Sequence, residues 1–330
     1  MAQDDWTLTP CADTMLWDRL LGQSRHGSAF LRSDFLSAMP IVPELWLLGD
    51  GDRFFAGAPV FRSGDIYHRA PMPLTIYQGP FLVDCDGPSH KRVDWELEVA
   101  EALIERLSAQ CDRLSWSLSP HYRDIRTLQW FNYHLPEAGQ FSVTVRYSGI
   151  IDLSAYPDFP AYLATLMKGR RSDWKKANES GLDVALSQDV ESFDRLHGET
   201  FLRQGIERAP AEVAMIASVL PPLLASGACE MLLARDPDGT AVAANIFLYD
   251  HTTAYYYFGA TNPDWRQCGI STRLFLDNLL RAWQRGITKI DMVGLNSPSR
   301  GFFKASFNAE PVPYFDVDWT RPAGTSLASS

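Results

Sequence analysis

Apolar residues recur along the first 150 residues with spacings typical of helices and of strands. Residues 45–58 predict a β-hairpin whose turn is the acidic, glycine-bearing segment Gly49-Asp50-Gly51-Asp52. Residues 94–110 place apolar side chains three and four positions apart, which predicts an amphipathic helix. Residues 113–118 alternate with period two, and 141–151 are rich in strand-forming residues, so both predict strands.

The same plan returns more clearly after residue 150. The pattern predicts helices at Phe159–Arg171, Asp173–Ser180, Val190–Arg203, Ala211–Ala225 and Ser271–Arg285. It predicts strands at Asp183–Leu186, Met231–Ala234, Ala243–Tyr249, Ala254–Phe258 and Lys289–Gly294. The elements follow the order helices, antiparallel meander, glycine loop, helix and strand. This order, found in full here and in part in the first half, indicates two copies of one α/β unit.

The repeat predicts an α/β fold of two tandem domains with mixed, mostly antiparallel sheets flanked by helices. We expect a first domain at residues 1–150 that lacks a donor loop. We expect a second domain at 151–320 that carries the active cleft, and a frayed tail at 321–330.

Charge excludes some classes of protein but leaves one local question open. The chain has 40 acidic and 30 basic residues and a net charge of −10, which argues against a protein coated with nucleic acid or held flat on an anionic membrane. Residues 161–180 nevertheless hold five basic residues against two acidic ones. The functional interpretation of this basic helix is a contact for tRNA or for the 3′-phosphate of coenzyme A. The alternative is a helix face that is only solvated.

Cysteine and histidine spacings predict neither a metal site nor a disulfide framework. The five cysteines are scattered, and the seven histidines form no metal-binding motif. The sequence has no membrane-length apolar run and no signal peptide at its start, so the expected location is the cytoplasm. No catalytic Ser-His-Asp or Cys-His arrangement can be read, and Cys268 is more simply a small packing residue.

A glycine-bearing loop precedes the predicted helix at residue 271. Arg266, Gln267, Gly269 and Ser271 lie where free backbone N–H groups and the positive end of a helix dipole meet. Such a loop can bind pyrophosphate, and acyltransferases of the GNAT superfamily hold coenzyme A on a loop of this kind. The alternative is that Gly269 only relaxes a turn.

Three further motifs follow one another in an order that resembles a known family. They are Arg170-Arg171 with Trp174-Lys175-Lys176-Ala177, then Thr200-x-x-Arg203-x-Gly205, then Gly301-Phe302-Phe303-Lys304-Ala-Ser-Phe307. Together they resemble the Fem-type and BioF2-like acetyltransferase-domain proteins, which are tandem GNAT proteins. The resemblance covers most of residues 20–318.

The resemblance implies an N-acyltransferase. It would move an acyl or aminoacyl group from acyl-CoA or aminoacyl-tRNA, with no tightly bound cofactor and no metal, to an amine of a small-molecule, peptide or sugar acceptor. It places Lys304 and Phe303 at the reaction centre and Arg203 on the acceptor's phosphates. Arg170, Arg171 and Lys175 become candidates for substrate binding, and Tyr256 for the wall of an acyl pocket. A lysine that often follows the family's counterpart of Phe30–Phe35 is missing, which argues against a UDP-muropeptide acceptor.

Two questions stay open at this level. An attacking ammonium must lose a proton, and His197, Glu199 and Asp291 are candidate bases that could equally be surface or capping residues. The other class of function is a non-catalytic binding module with a degenerate GNAT fold, because the first half shows no anion loop.

Overall fold

The structure is a computed structural model that describes residues 5–63, 66–69, 75–203 and 205–322, with the side chains of 62–69 and 298–300 left undescribed. The α-helices, in chain order, are α1 (Thr14–Gly22), α2 (Ser33–Ser37), α3 (Ser89–Gln110), α4 (Arg126–Trp130), α5 (Phe159–Thr165), α6 (Lys168–Asn178), α7 (Val190–Leu202), α8 (Pro210–Ser226), α9 (Ile270–Gln284) and α10 (Pro298–Ala305).

The described residues form thirteen strands. The strands are β1 (Thr7–Pro10), β2 (Glu44–Gly49), β3 (Phe54–Ser63), β4 (Ile66–Arg69), β5 (Phe81–Leu82), β6 (Cys111–Ser117), β7 (Ser142–Asp152), β8 (Asp183–Leu186), β9 (Cys229–Arg235), β10 (Ala241–Tyr249), β11 (Thr253–Thr261), β12 (Lys289–Asp291) and β13 (Glu310–Thr320). Most pairs are antiparallel; β4–β6 and β11–β12 are parallel.

The chain forms two compact units. Unit 1 takes its described residues from 1–146 and 313–330, and unit 2 is 147–312. The predicted boundary at 150 falls within four residues of this division. The prediction differs at the other end, because residues 313–320 belong to unit 1 and not to the second domain. There β13 pairs with β6, for example Val317 with Trp116. Most of the predicted tail lies outside the described residues.

Unit 1 is built on the strand order β1-β2-β3-β4-β6-β13, with the first part of β7 beside β13 and β5 paired with β3. Helix α3 packs one apolar face against this sheet. The buried residues Val99, Leu103 and Leu107 recur at helical spacing along that face. The predicted hairpin at 45–58 is β2 and β3, which pair in antiparallel register.

Unit 2 has the strand order β7-β12-β11-β10-β9-β8. Strand β10 is buried along its whole length, as expected for an apolar strand covered on both faces. Helices α7 and α9 pack on it. Phe275 of α9 lies 5.8 Å from Phe247 of β10, and Phe193 of α7 lies 5.5 Å from Phe258 of β11.

Several helices differ from the sequence prediction. The break between the first two helices of unit 2 falls at 166–167 and not near 172, because Leu166 is extended and buried against the core. The short helices α1, α2, α4 and α10 are missing from the prediction, because elements of five to nine residues contain too few turns for a clear periodic signal. The described helices include none that is long and apolar enough to span a bilayer.

Two buried histidines give the fold an expected pH dependence. Burial, reinforced by Arg25 for His26 and by Arg208 for His197, lowers their pKa values to about 3 and about 4. Both are therefore neutral when folded but bind a proton below about 6.5 when unfolded. Stability must fall as the pH drops through 6.5 towards those values, by at most about 2 kcal/mol per histidine at pH 5.

We expect the urea midpoint to decline from pH 7 to pH 5. Each of His26→Leu and His197→Leu should make the unfolding free energy depend less steeply on pH, because up to one proton fewer is taken up on unfolding. His251 is exposed in the β10–β11 turn, so His251→Gln should leave the slope unchanged. If neither His26→Leu nor His197→Leu changed the slope of stability against pH, these two histidines would not titrate as described.

Candidate functional site

The candidate site lies where β11 and β12 separate. The two strands pair in parallel over Thr253–Tyr255 only, and among the described residues β11 continues to Thr261 paired with β10 alone. The pairing of β10 with β11 also shifts in register beside Tyr256, between Ile246 and Phe247 of β10. The two strands therefore leave a gap in the sheet, which begins at Tyr256 on one side and at Met292 on the other.

The segment that follows β12 has an unusual backbone. Val293 and Gly294 have φ values of 50° and 90°. A β-branched residue rarely adopts a positive φ, which costs on the order of 1–3 kcal/mol and persists only when neighbouring contacts hold it. The buried carboxylate of Asp291 accepts hydrogen bonds from the Ser148 hydroxyl at 2.5 Å and from the Val293 N–H at 2.7 Å.

Lys304 holds the other side of this segment. Its ammonium donates to the carbonyl oxygens of Met292, Val293 (2.9 Å) and Gly294 (2.8 Å). An ammonium has three N–H donors, so these three carbonyls match its full capacity. Its positive charge also lies 5.6 Å from the centre of the Tyr256 ring. Lys304 is therefore a partly buried cation fixed at the edge of the gap.

An aromatic cluster forms the floor beside this cation. Tyr256 lies 5.2 Å from Phe275, which contacts Phe307 at 4.3 Å, and Phe303 lies 5.1 Å from Phe307. Burial raises the pKa of Tyr256 to about 12, so its hydroxyl is neutral and can only donate or accept a hydrogen bond. A side chain at Gly259 would clash with that hydroxyl, so the glycine lets Tyr256 lie back along its own strand.

Arg170 joins three helices under the cluster. Its guanidinium lies 4.7 Å from the Phe303 ring centre and donates to Ser306 of α10 at 2.7 Å. It also donates to Thr272 of α9 at 3.1 Å and to Asp173 of α6 at 3.2 Å. Burial lowers the pKa of Arg170 against the opposing pull of Asp173. Arg170 acts as a packing residue, while its role in substrate binding stays a prediction.

The predicted donor loop is packed against α6. Gly269 has a φ of 83°, and a Cβ there would lie 2.3 Å from the Asp173 carbonyl oxygen. The Asp173 carboxylate accepts from Arg170 and, at 3.4 Å, from the Thr272 hydroxyl in the first turn of α9. An acidic side chain from α6 thus lies beside the helix N-terminus where we expected pyrophosphate.

The other loop residues are partly engaged. Lys176 donates to the Gln267 carbonyl at 2.5 Å, and the Ser271 hydroxyl lies 2.8 Å from that of Thr261. Arg266 is exposed. Partial desolvation and then the charge of Arg266 lower the pKa of Arg203, so these two predicted residues lie near each other at the end of α7. Two neighbouring cations form a surface that favours an anion.

Arg171 and Lys175 lie elsewhere on unit 2. They border a groove of about 470 Å³ between α5 and α6, whose apolar wall includes Leu163 and the half-buried Trp174. Both cations are exposed, and Lys175 lies 4.0 Å from Glu179. The structure therefore groups Lys304, Phe303, Tyr256 and Arg170 together, and separates them from this pair and from the Arg203–Arg266 pair.

The three candidate bases are all engaged in other contacts. His197 packs among Phe193, Phe201 and Phe258, and Glu199 pairs with Arg195 at 2.7 Å on an exposed face of α7. Asp291 supports the backbone of Val293. The thiol of Cys268 donates to the Trp265 carbonyl at 2.9 Å. Sequence reasoning missed Ser148 and the 292–294 carbonyls, because backbone acceptors carry no residue signature.

The Gly269 contact can be tested on stability. Gly269→Ala places a methyl group against α6 at a positive φ, so we expect it to lower the free energy of unfolding by about 2 kcal/mol or more. Gly286 is the matched control, because it has a φ of 77° with open space where a Cβ would lie. Gly286→Ala should cost about 1 kcal/mol. Equal urea midpoints for the two variants would contradict the close approach of α6.

Comparisons with known proteins bear on the fold and on the class of reaction. Residues 166–304 match the family described as an acetyltransferase (GNAT) domain. Among solved structures, one described as FemX has a TM-score of 0.68 at 11% identity, covering 94% of this chain and 96% of its own. No curated protein matches the chain in sequence.

Two further structures are similar. A tandem GNAT protein from the clavulanic acid biosynthesis pathway has a TM-score of 0.56 at 14% identity, covering 97% of this chain and 100% of its own. The structure of L-PGS from Bacillus licheniformis has a TM-score of 0.52 at 13% identity, covering 96% and 93%. The predicted fold is confirmed, and the family match confirms the predicted class of acyltransferase. The chain thus has the tandem GNAT fold of these structures, and its residues 166–304 match the family described as an acetyltransferase (GNAT) domain.

Proposed function

We propose that unit 2 transfers an aminoacyl group from aminoacyl-tRNA to an amine, in the gap between β11 and the segment that follows β12. The observation that carries this proposal is the fixed ammonium of Lys304 at the edge of that gap, beside Tyr256. A cation held in advance where negative charge develops is the arrangement that stabilises the transition state of acyl transfer.

The chemistry follows from that placement. The acceptor's neutral amine attacks the carbonyl carbon of the donor ester, and the carbonyl oxygen becomes an oxyanion. The ammonium of Lys304 stabilises this oxygen, with one N–H turning from a backbone carbonyl to the substrate. The C–O bond to the ribose then breaks, and the amide forms. The amine's proton passes, directly or through solvent, to the leaving ribose oxygen, since His197, Glu199 and Asp291 are otherwise engaged.

The choice of donor rests on α6. Its backbone and the Asp173 carboxylate lie at the N-terminus of α9, so a pyrophosphate there would meet a negative charge and a steric contact. The exposed cations of α6 instead border a groove that contains Trp174. A basic surface with an aromatic side chain is typical of binding to single-stranded nucleotides, such as those that precede the aminoacylated end of tRNA.

The donor is tested with the purified chain, a mixture of radiolabelled aminoacyl-tRNAs and a panel of peptide, amino-sugar and small amine acceptors. We expect amide products that disappear after RNase treatment. The same panel with acetyl-CoA should give no product. Transfer from acetyl-CoA alone would contradict the choice of donor, and donor binding without any product would favour a non-catalytic binding module.

The role of Lys304 is tested by Lys304→Met, which keeps the length of the side chain and removes the charge. We expect a fall in single-turnover rate of about 100-fold, the usual loss when one stabilising donor is removed. Lys289→Met is the matched control, because Lys289 lies on β12 outside the gap and pairs with Asp152 of β7. A Lys304→Met protein that folds normally and retains its full rate would exclude this role.

The tRNA contact is tested by salt dependence. The slope of log affinity against log salt for tRNA should become shallower by about one unit for each of Arg171→Ala and Lys175→Ala, as one released counterion predicts. Lys91, exposed on α3 of unit 1, supplies the control Lys91→Ala, which should leave the slope unchanged. A slope that is the same for all four proteins would place the tRNA elsewhere.

A further inference from the structure

Unit 1 contains a cavity that the proposed reaction does not use. It has a volume of about 850 Å³ and lies between one face of α3 and the segment from α4 to Ala138. This size is within the range of cavities that enclose a small organic molecule. The segment is held in shape by Asn132, which has a φ of 56° and donates to the carbonyl oxygens of Ala138 (3.1 Å) and Gly139 (2.7 Å).

The walls of the cavity are rich in aromatic rings. Trp130, Phe131 and Trp319 line it, and Phe131 meets Trp319 edge to face at 6.0 Å. Trp130 is 62% exposed and stacks on Tyr133 with ring centres 4.3 Å apart. An exposed, stacked tryptophan at the mouth of a cavity is costly to leave in water and suits an apolar or cationic ligand.

The charges on the lining differ in how they are paired. Two of its charged residues are arginines that already have carboxylate partners, since Arg126 pairs with Asp124 at 2.6 Å and Arg321 with Asp112 at 2.9 Å. The other two are Glu101 and Glu105, one turn apart on α3. Glu105 has a long contact of 3.9 Å with Arg106.

Glu101 has no ion-pair partner within 4.0 Å among the described residues of the chain. The lining itself has two glutamates against two arginines, and with Asp112, Asp124 and Arg106 counted the neighbourhood has four acidic against three basic residues. Because both arginines of the lining are already paired, the carboxylate of Glu101 beside the aromatic rings favours a cation over an anion.

We propose that this cavity binds a small organic cation, an ammonium group carried on an apolar body. The ammonium lies between Glu101 and the face of Trp130, and the apolar body lies against Phe131 and Trp319. The site belongs to unit 1 and does not depend on the proposed transfer reaction.

The test uses three probes of the same shape and different charge: 4-phenylbutylammonium, 4-phenylbutanol and 4-phenylbutyrate. Binding to the full-length chain is measured by titration calorimetry at neutral pH in dilute salt, where charge interactions are least screened. We expect the ammonium to bind at least about tenfold more tightly than the alcohol, and the carboxylate to bind most weakly. Equal affinities, tighter binding of the carboxylate, or no binding of the ammonium would overturn the proposal.

Variants locate the site. Glu101→Gln and Trp130→Ala should each weaken binding of 4-phenylbutylammonium about fivefold, as expected for the loss of one cation contact. Glu98→Gln is the matched control, since Glu98 is exposed on the same helix outside the cavity lining. Both site residues are exposed, so thermal midpoints should stay unchanged. Equal weakening by Glu98→Gln would indicate a diffuse surface effect and exclude the cavity.

Discussion

The candidate site depends on one interaction, the ammonium of Lys304 held by three successive carbonyls after β12. The contact fixes a backbone that would otherwise be unfavourable, since Val293 adopts a positive φ. Asp291 and Ser148 hold the N–H side of the same segment. The same three contacts therefore position the cation and the edge of the gap. Such preorganisation is what catalysis by fixed charge requires.

The packing of the helices around this centre is the basis for the proposed choice of donor. Arg170 ties α6, α9 and α10 together, and it places α6 over the glycine loop that begins α9. In this packing the loop's glycine serves close contact between helices. The basic residues of α6 that do not join this contact face solvent and remain available to a nucleic acid. One helix thus covers the expected pyrophosphate position and presents a charged surface.

Sequence alone predicted most of the elements and the order of the motifs, because β10, α7 and α9 have strong and simple apolar patterns. It also named Lys304, Phe303, Tyr256 and Arg170, which the structure brings together. It missed the short helices α1, α2, α4 and α10, whose few turns give a weak periodic signal. It also missed the return of β13 to unit 1, since strand pairing between residues so far apart in the chain leaves no local signal. The sequence did not predict the hydrogen bonds that hold the Lys304 ammonium, because its partners are backbone carbonyls. The sequence also could not predict the packing of Asp173 on Gly269, because that contact joins residues far apart in the chain.

The central claim is that the acyl group of the donor enters the gap beside Tyr256 and Lys304. It is tested most directly by photocrosslinking with tRNA charged with a benzophenone amino acid, followed by mass spectrometry of the labelled peptides. The account predicts labelling within residues 254–260 or 292–304, reduced by competing unlabelled aminoacyl-tRNA. Labelling confined to unit 1, or to the segment 263–271 at the start of α9, would contradict it.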